Sequence, residues 1–213
     1  DDLVIEEKGI YSVEKFLVAR RLMYWQVYLH KTSLVAEQLL IRVLKRAKEL
    51  IDKGEKLNAS KSLSYFLYNK IGPENFTSET LAVFARLDDY DIVSAMKEWQ
   101  DHEDFVLSNL CKMIINRDLL KVKIKKKKPS AQKLEKRRIA LQEKQNISAE
   151  EADYFVFSGE VTNTAYKSEN NNINILHKNG KISDVAKASD QLNLKALSKT
   201  VVKYYMCYPK AKH

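Results

Sequence analysis

The sequence predicts a mostly α-helical protein, a bundle built on a long helix, followed by a small C-terminal α+β part. Three observations predict this fold class. Glycines number five and prolines three in 213 residues, and apolar residues recur at helical spacing through the first half. Near residue 118 the pattern changes to alternating apolar and basic residues. We therefore expect a helical part over residues 1–117 and an α+β lobe over residues 118–213.

The longest helical pattern follows Gly9, with Ser12 as its expected N-cap. Nothing interrupts the pattern before Gly54, so we expect one helix of about forty residues or two nearly continuous ones. The apolar residues at helical spacing are Val13, Phe16, Leu17, Met23, Val27, Val35, Leu39, Val43 and Leu50.

Shorter apolar segments follow in the first half. Leu63–Tyr68 is a short apolar stretch, and three further helices are expected at roughly 78–87, 90–100 and 103–116. Asp101 is positioned as the N-cap of the third helix. Together with the long helix, these segments form the helical part.

The C-terminal lobe mixes strand and helix patterns. Ser148 and Glu151 have capping-box spacing, and Asn179-Gly180 predicts a hairpin turn. The expected elements are strand 119–124, helix 132–145, strand 154–161, hairpin strands 173–176 and around 182, helix 185–191 and strand 200–208. The order β-α-β-β-α-β would suit a small ferredoxin-like layer.

The net charge of +9 indicates an anionic partner, yet much of it is local. Six lysines lie within eight residues, at 121, 123 and 125–128. Such a run can bind nucleic acid electrostatically, but we favour the alternative of a strand edge protected by lysines. No apolar run has the length of a membrane span, and Cys111 and Cys207 lie outside any CxxC pair. These features are typical of a cytoplasmic protein with reduced cysteines.

Known catalytic motifs are absent from the sequence. It has no P-loop, no GxSxG and no glycine-rich dinucleotide loop. The four histidines, His30, His102, His177 and His213, are not spaced as metal ligands, and we expect His177 to be exposed beside its hairpin turn. The residues of this chain therefore do not assemble a complete active site.

The most informative residues lie on the first long helix. At about 100° per residue, Tyr24, Tyr28 and Lys31 lie roughly 40°, 80° and 20° from Arg20 around the helix. Arginine donates to phosphate oxygens, and tyrosine stacks on a sugar or donates through its hydroxyl. This face suits a phosphorylated ligand that contains a ring. An alternative is that the tyrosines are core residues and that Arg20 pairs with a buried carboxylate.

One family resemblance bears on these residues. The motif Phe16-Leu17-x-x-Arg20, followed by Tyr28-x-His30-Lys31, resembles the helix after the last metal ligand in HD-domain deoxynucleoside triphosphate triphosphohydrolases, a family that includes bacterial dGTPase-like enzymes. The resemblance extends more weakly through residues 115–121 and the order of C-terminal elements. It implies that Arg20 contacts the terminal phosphate of the substrate and Tyr28 its sugar, with Tyr24 between them.

The resemblance also implies regulatory contacts and a homo-oligomer. In regulated members, nucleotides bound between subunits order the oligomer. Acidic Glu6 and apolar Leu29 depart from the residues found in the regulated mammalian enzyme. The candidate interface or regulatory contacts are Lys8, His30, Lys31, Arg117 and Lys121.

The family holds its divalent metal with a His, a His-Asp pair and a later Asp, all before this helix. This sequence contains no His-Asp dipeptide, so we expect a C-terminal portion of an HD nucleotide phosphohydrolase that continues an HD-domain core. The metal (Mn, Mg, Fe or similar) would be bound outside this chain, and the chain alone would be inactive. The alternative function is a non-catalytic nucleotide- or nucleic-acid-binding module or an oligomerisation module.

Overall fold

The computed structural model describes residues 3–163, 172–189 and 200–210. A 3-10 turn, Glu7–Gly9, precedes α1, and a π-helical segment, Tyr24–Tyr28, follows it. The α-helices are α1 (Ile10–Met23), α2 (Lys31–Asp52), α3 (Lys61–Tyr68), α4 (Ser78–Phe84), α5 (Asp89–Trp99), α6 (Phe105–Ile115), α7 (Ala131–Gln145), α8 (Ala149–Phe155) and α9 (Val185–Ala188). The strands are β1 (Val4–Glu6), β2 (Lys121–Lys125), β3 (Phe157–Asn163), β4 (Asn174–Leu176), β5 (Ile182–Asp184) and β6 (Val201–Tyr208).

The chain divides into two compact units. The first comprises Asp1–Leu34, Lys123–Ser130 and Ser158–Met206. The second comprises the remaining three ranges, Val35–Val122, Ala131–Phe157 and Cys207–His213.

In the first unit, α1 lies against a small sheet of order β1-β4-β5. Strand β1 is parallel to β4, and β4 is antiparallel to β5. Ile10 and Leu17 of α1 pack with Ile175 and Val185 in a buried cluster. This arrangement fixes which side of α1 faces inward, because positions 10 and 17 are two helical turns apart.

A tight turn joins β4 to β5. Gly180 has φ +79°, a left-handed conformation that favours glycine, and its N–H donates to the carbonyl of His177. The Asn179-Gly180 hairpin prediction is therefore confirmed. Within this turn Lys181 N donates to Asn179 Oδ1 at 3.0 Å.

The second unit is built on α2. Its buried residues follow helical spacing: Val35, Leu39, Val43, Ala47 and Leu50. Other helices of this unit bury Trp99, Val106, Leu107 and Leu110. The indole of Trp99 also donates to the carbonyl of Asn58 at 2.9 Å. Here a polar donor is satisfied inside an apolar core.

The second sheet has the order β2-β6-β3, with β2 at one edge. Exposure alternates along β2, so its lysines lie outward while Val122 and Ile124 are half-buried. The predicted strand with one basic face is confirmed. In the described ranges, no helix is both long enough and apolar enough to cross a membrane.

The predicted class, mostly helical with a small mixed sheet part at the C-terminus, is confirmed. The strands expected in one ferredoxin-like layer lie in two three-stranded sheets, because β4 pairs with β1 and β5. The long helical segment is two nearly continuous helices, since α1 and the π-helical segment end before α2 starts at Lys31. The exit at Gly54, with φ +94°, is also confirmed.

Three local predictions were wrong. Helix α1 begins at Ile10, so Ser12 is inside it. Helix α6 is capped by Asp104 and not Asp101, because the carboxylate of Asp104 accepts from Leu107 N at 2.7 Å. Tyr154 belongs to α8, and the following strand begins at Phe157. The expected helix over 185–191 covers Val185–Ala188, and residues 190 and 191 lie outside the described residues.

Candidate functional site

The candidate site is the arginine–tyrosine stack, formed by Arg20, Tyr24 and Tyr28. The guanidinium carbon of Arg20 lies 5.6 Å from the centre of the Tyr24 ring. The rings of Tyr24 and Tyr28 have centroids 5.0 Å apart and are tilted by 45°. These distances are within the usual range of cation–π and aromatic pairs. A cation and two phenol rings thus form a continuous row.

The π-helical segment explains why the row is continuous. The N–H of Leu29 donates to the carbonyl of Tyr24 at 2.8 Å, a bond that spans five residues. A regular α-helix would rotate Tyr28 roughly 80° away from Arg20. With the extra residue in the turn, each residue rotates less, so Tyr28 falls back toward the line of Arg20 and Tyr24. Such π segments occur frequently at functional sites.

The stack is accessible to a ligand. Arg20 is exposed, Tyr24 is half-buried and Tyr28 keeps 55% of its surface exposed. Among the described residues, no carboxylate forms an ion pair with Arg20. The alternative in which Arg20 pairs with a buried carboxylate and the tyrosines form core is therefore not the arrangement observed.

The remaining sequence candidates of the first unit lie at helix ends. Lys8 is exposed and pairs with Glu6 at 2.5 Å. His30 is exposed in the turn between the π-helical segment and α2, where its Nδ1 accepts from Thr32 N at 3.3 Å. Lys31 is exposed at the first position of α2. Lys8 and His30 thus already have partners within the chain.

Two candidates belong to the second unit. Arg117 is exposed just beyond α6 and has φ +56°, a left-handed conformation that costs energy for a residue with a Cβ. Lys121 is exposed at the first position of β2. Their roles as nucleotide contacts stay predictions.

Two groups of side-chain contacts in the first unit were not predicted from the sequence. The ammonium of Lys203 lies 3.7 Å from the centre of the Trp25 ring. His177 Nδ1 lies 3.0 Å from a Glu7 carboxylate oxygen, and its Nε2 lies 2.8 Å from the Ser183 hydroxyl. His177 is therefore half-buried rather than exposed, and its hydrogen bond lowers the pKa of Glu7. Since 170 residues separate Glu7 from His177, no spacing rule indicated the pair.

The described residues do not form a metal centre. No group of three His, Cys, Asp or Glu side chains in this part of the chain could hold a metal ion. The two cysteines are free and buried, and burial raises the pKa of each thiol to about 12. The cysteines are therefore thiols at neutral pH, as the sequence predicted.

This chain is similar to one protein family and to two uncharacterized bacterial proteins. Residues 1–65 match the HD associated region family. YwfO, an uncharacterized protein of Bacillus subtilis, is 36% identical over 119 residues, which cover 56% of this chain and 26% of YwfO. An uncharacterized protein of Mycoplasma pneumoniae, the MG461 homolog, is 28% identical over 157 residues, covering 73% of this chain and 35% of the relative.

Two solved structures are also similar to this chain. A phosphohydrolase from Bacteroides thetaiotaomicron is 45% identical with a TM-score of 0.87, covering 97% of this chain and 52% of that one. A hypothetical protein from Aquifex aeolicus shares the fold, with 22% identity, a TM-score of 0.56 and coverage of 96% and 43%. The chain thus spans about half of the phosphohydrolase and a smaller share of the curated relatives. The HD-associated match and the phosphohydrolase neighbour both agree with the HD resemblance of the sequence.

Proposed function

We propose that this chain is the C-terminal part of an HD-type phosphohydrolase that acts on deoxynucleoside triphosphates. In this proposal the arginine–tyrosine stack forms one wall of the substrate pocket. The observation that carries the proposal is the accessible row of one guanidinium and two phenol rings on the π-helical segment. This row lies within the 65 residues that match the HD associated region.

The chemistry of the stack suits a nucleotide. The planar guanidinium of Arg20 offers paired N–H donors to the terminal phosphate, as the family resemblance implies. Tyr28 presents a ring for the sugar and a hydroxyl that can donate or accept. The two steps of the row, 5.6 Å from Arg20 to Tyr24 and 5.0 Å from Tyr24 to Tyr28, together give a length that a nucleoside triphosphate can span.

HD phosphohydrolases generally use a divalent metal, but the described residues do not supply a ligand set for one. We therefore propose that the metal ligands belong to another part of the intact protein. We expect the 213-residue chain alone to show no nucleotide hydrolysis with Mn²⁺, Mg²⁺ or Fe²⁺. The roles left to this chain are to bind the phosphate and the sugar and to orient them.

An exposed apolar face on α1 and the π-helical segment supports the same proposal. Its members are Tyr11, Phe16, Val18, Leu22, Met23 and Val27, each at least 37% exposed. Six large exposed apolar side chains on one helical segment favour an interaction site. We propose that the metal-binding part of the protein covers this face. The homo-oligomer implied by the family resemblance is a further proposal, to be tested by light scattering on the intact protein.

The test uses the intact protein that contains this chain together with a metal-binding HD part. Arg20→Ala should lower kcat/KM for triphosphate release about 100-fold, the loss typical of removing one charge-stabilising donor. Metal content, measured by mass spectrometry, should stay unchanged. Arg86→Ala is the matched control, because Arg86 is also an exposed arginine and lies outside the stack and outside the apolar face of α1. We expect this variant to keep full activity.

Two tyrosine variants divide the contribution of the ring from that of the hydroxyl. Tyr28→Phe keeps the ring contact with Tyr24, whereas Tyr28→Ala removes it, so the alanine variant should raise KM more.

Equal activity of the wild type and Arg20→Ala would show that the terminal-phosphate assignment is wrong. Turnover by the purified chain alone, surviving controls for contamination, would refute the assignment of the metal ligands elsewhere.

A further inference from the structure

Three polar side chains meet at one end of the small sheet of the first unit. The register pairs Ile5 of β1 with Ile175 of β4, and Ile175 with Ser183 of β5, so these residues share one face of the sheet. Glu7 and His177 each follow a member of this row by two residues, which brings them back to the same face. Glu7, His177 and Ser183 form what we call the polar trio, and all three belong to the first unit.

The hydrogen bonds of the polar trio run in one direction. His177 Nδ1 lies 3.0 Å from a carboxylate oxygen of Glu7, and His177 Nε2 lies 2.8 Å from the hydroxyl of Ser183. The bond from His177 lowers the pKa of Glu7, so this carboxylate is ionised at neutral pH and can only accept. In the neutral imidazole Nδ1 therefore carries the proton, and Nε2 is left to accept from Ser183. The serine proton thus points at an unprotonated ring nitrogen.

Attachment of the hairpin to the rest of the unit accounts for only part of the polar trio. Glu7 already holds the hairpin through His177 and through Lys178 N, which donates to its second carboxylate oxygen at 3.4 Å. Ser183 is held by the pairing of its strand with β4, so its hydroxyl is not needed for the attachment. The side chains of Glu7 and His177 are 41% and 23% exposed, and Ser183 is half-buried. The trio is therefore within reach of a small molecule in solution.

We propose that Ser183 is a nucleophile that accepts the acyl group of a small ester or a similarly activated acyl compound. A serine hydroxyl bonded to an imidazole, whose other nitrogen is bonded to a carboxylate, is the arrangement that activates serine on several unrelated folds. Both distances lie within the hydrogen-bond reach of about 2.6–3.2 Å that this chemistry requires. His177 is then the general base, and Glu7 is a positioning residue that fixes the tautomer of the imidazole. This activity needs neither a metal nor the arginine–tyrosine stack, so it does not depend on the proposed function.

The chemical step is an acyl transfer. Ser183 Oγ forms a bond to the carbonyl carbon while its proton passes to His177 Nε2. The bond between the carbonyl carbon and the leaving oxygen then breaks with its electron pair, and the leaving oxygen takes the proton from Nε2. Water attacks the resulting ester of Ser183 in the same way, releases the carboxylic acid and restores the hydroxyl. The step involves no oxidation or reduction, and water is the only co-reactant.

The experiment follows the release of p-nitrophenolate from p-nitrophenyl acetate by the 213-residue chain in the presence of EDTA. After acid quenching, mass spectrometry of the digested protein locates the acetyl group. Hydroxylamine separates two products, because it cleaves an acetyl ester on serine and leaves an acetyl amide on lysine intact. We expect a hydroxylamine-sensitive acetyl group on Ser183.

Variants of the nucleophile and the base should both lose this reaction. Ser183→Ala should remove the ester and lower release at least about tenfold, because a general base contributes about 10²–10⁴-fold and lysine acetylation supplies a background. His177→Gln should lower release to the same level. Ser12→Ala is the matched control, since Ser12 is exposed in the same unit and lies outside the polar trio. We expect this control to release p-nitrophenolate like the wild type.

Two variants of Glu7 separate its charge from its shape. Glu7→Gln keeps the length of the side chain but loses the charge, and its amide can donate to Nδ1 and so favour the wrong tautomer. Glu7→Asp keeps the carboxylate, so it should retain more activity than Glu7→Gln. A purely structural role of Glu7 would reverse this order, because glutamine fills the same space, and the reversed order would overturn the positioning role.

A cysteine at position 183 gives a second readout. Ser183→Cys should be alkylated by iodoacetamide at least about tenfold faster than Ser12→Cys, because the imidazole favours the thiolate. The native thiols do not interfere, since Cys111 and Cys207 are buried. Circular dichroism melting checks that every variant is folded. The proposal would be overturned by acetyl groups on lysines alone, by wild-type release from Ser183→Ala, or by equal alkylation of the two cysteine variants.

Discussion

Helices α1 and α2 follow one another in the chain and have similar apolar patterns, yet they differ in what they bury. In α2, Leu39 and Val43 are fully buried. In α1, Leu17 is 1% exposed, but Phe16 and Leu22 keep 62% and 53% of their surface exposed. Helix α2 therefore finds its packing partners within the chain, whereas α1 has an inner face and an unpartnered apolar face. The difference separates a helix that stabilises the fold from one that also presents a surface.

The ion pairs of the two regions also differ in how far they are buried. On α2, Arg46 donates two hydrogen bonds to Asp104, at 3.0 and 2.6 Å, and both side chains are nearly buried. Ahead of α1, Glu7 bonds His177 at 3.0 Å, and these side chains are 41% and 23% exposed. Water screens the second pair more than the first. Substitutions in the two regions should therefore differ in their cost to the free energy of unfolding.

The largest effect is expected from a pair of identical truncations. Leu39→Ala should lower the free energy of unfolding by about 2–5 kcal/mol, because it leaves a cavity in a filled core. Leu22→Ala should change it by less than about 0.5 kcal/mol, since Leu22 is already half in water. Urea unfolding of both variants measures the difference. If Leu22→Ala cost as much as Leu39→Ala, the exposed face of α1 would have to be covered in the free chain.

A smaller effect is expected at the Arg46–Asp104 pair. Asp104→Asn keeps an N-cap for α6 but removes the charge, and it should cost about 2 kcal/mol of unfolding free energy. The matched control is Asp88→Asn, because Asp88 caps α5 through Tyr90 N but is exposed. We expect the control to cost less than about 0.5 kcal/mol. A similar loss in both variants would mean that the cap matters and not the ion pair.

The pH dependence of the same pair has a defined sign. Burial raises the pKa of Asp104, but the hydrogen bonds from Arg46 and Leu107 N outweigh it, so the pKa lies below its usual 3.8. A carboxylate whose pKa is lower in the folded protein stabilises the fold at pH values above its unfolded-state pKa. This stabilisation is lost as the pH falls through the folded-state pKa. The difference in the free energy of unfolding between wild type and Asp104→Asn should therefore disappear as the pH falls below about 3.8.

The smallest effect is expected at Glu7 and His177. The hydrogen bond from His177 lowers the pKa of Glu7, so the pair stabilises the fold above pH 4.5 and loses that effect as pH falls further. Glu7→Gln should lower Tm by about 1–2 °C at pH 7, as for an exposed pair, and by less near pH 3. Thermal melts at both values measure it. A constant difference across this range would show that charge at Glu7 is not the stabilising factor.

Several features of the site were predictable from the sequence. The order Arg20, Tyr24, Tyr28 at four-residue steps placed a cation and two aromatic rings on one helix. The HD resemblance, carried by Phe16-Leu17-x-x-Arg20 and Tyr28-x-His30-Lys31, agrees with the match of residues 1–65 to the HD associated region. Both rest on local spacing, which a sequence records directly. The roles of these residues toward a ligand stay predictions.

Other features needed the three-dimensional contacts. The sequence predicted Asp101 as the cap of α6, whereas the cap is Asp104, which also accepts a hydrogen bond from Arg46, 58 residues away in the chain. The π-helical conformation of Tyr24–Tyr28 cannot be deduced from residue types, because the same residues are compatible with an α-helix. The row of Arg20, Tyr24 and Tyr28 therefore depends on backbone geometry that spacing alone did not give.

By itself, the sequence determined the helical class, the hairpin at Gly180 and the alternation of lysines along β2, because each depends on local periodicity or on one glycine. Tertiary structure decided which apolar residues are core. Leu39 and Phe16 read alike in the sequence, since periodicity shows that a face favours burial but not whether a partner exists to cover it. Only the folded chain shows that α2 is covered and that the outer face of α1 is exposed.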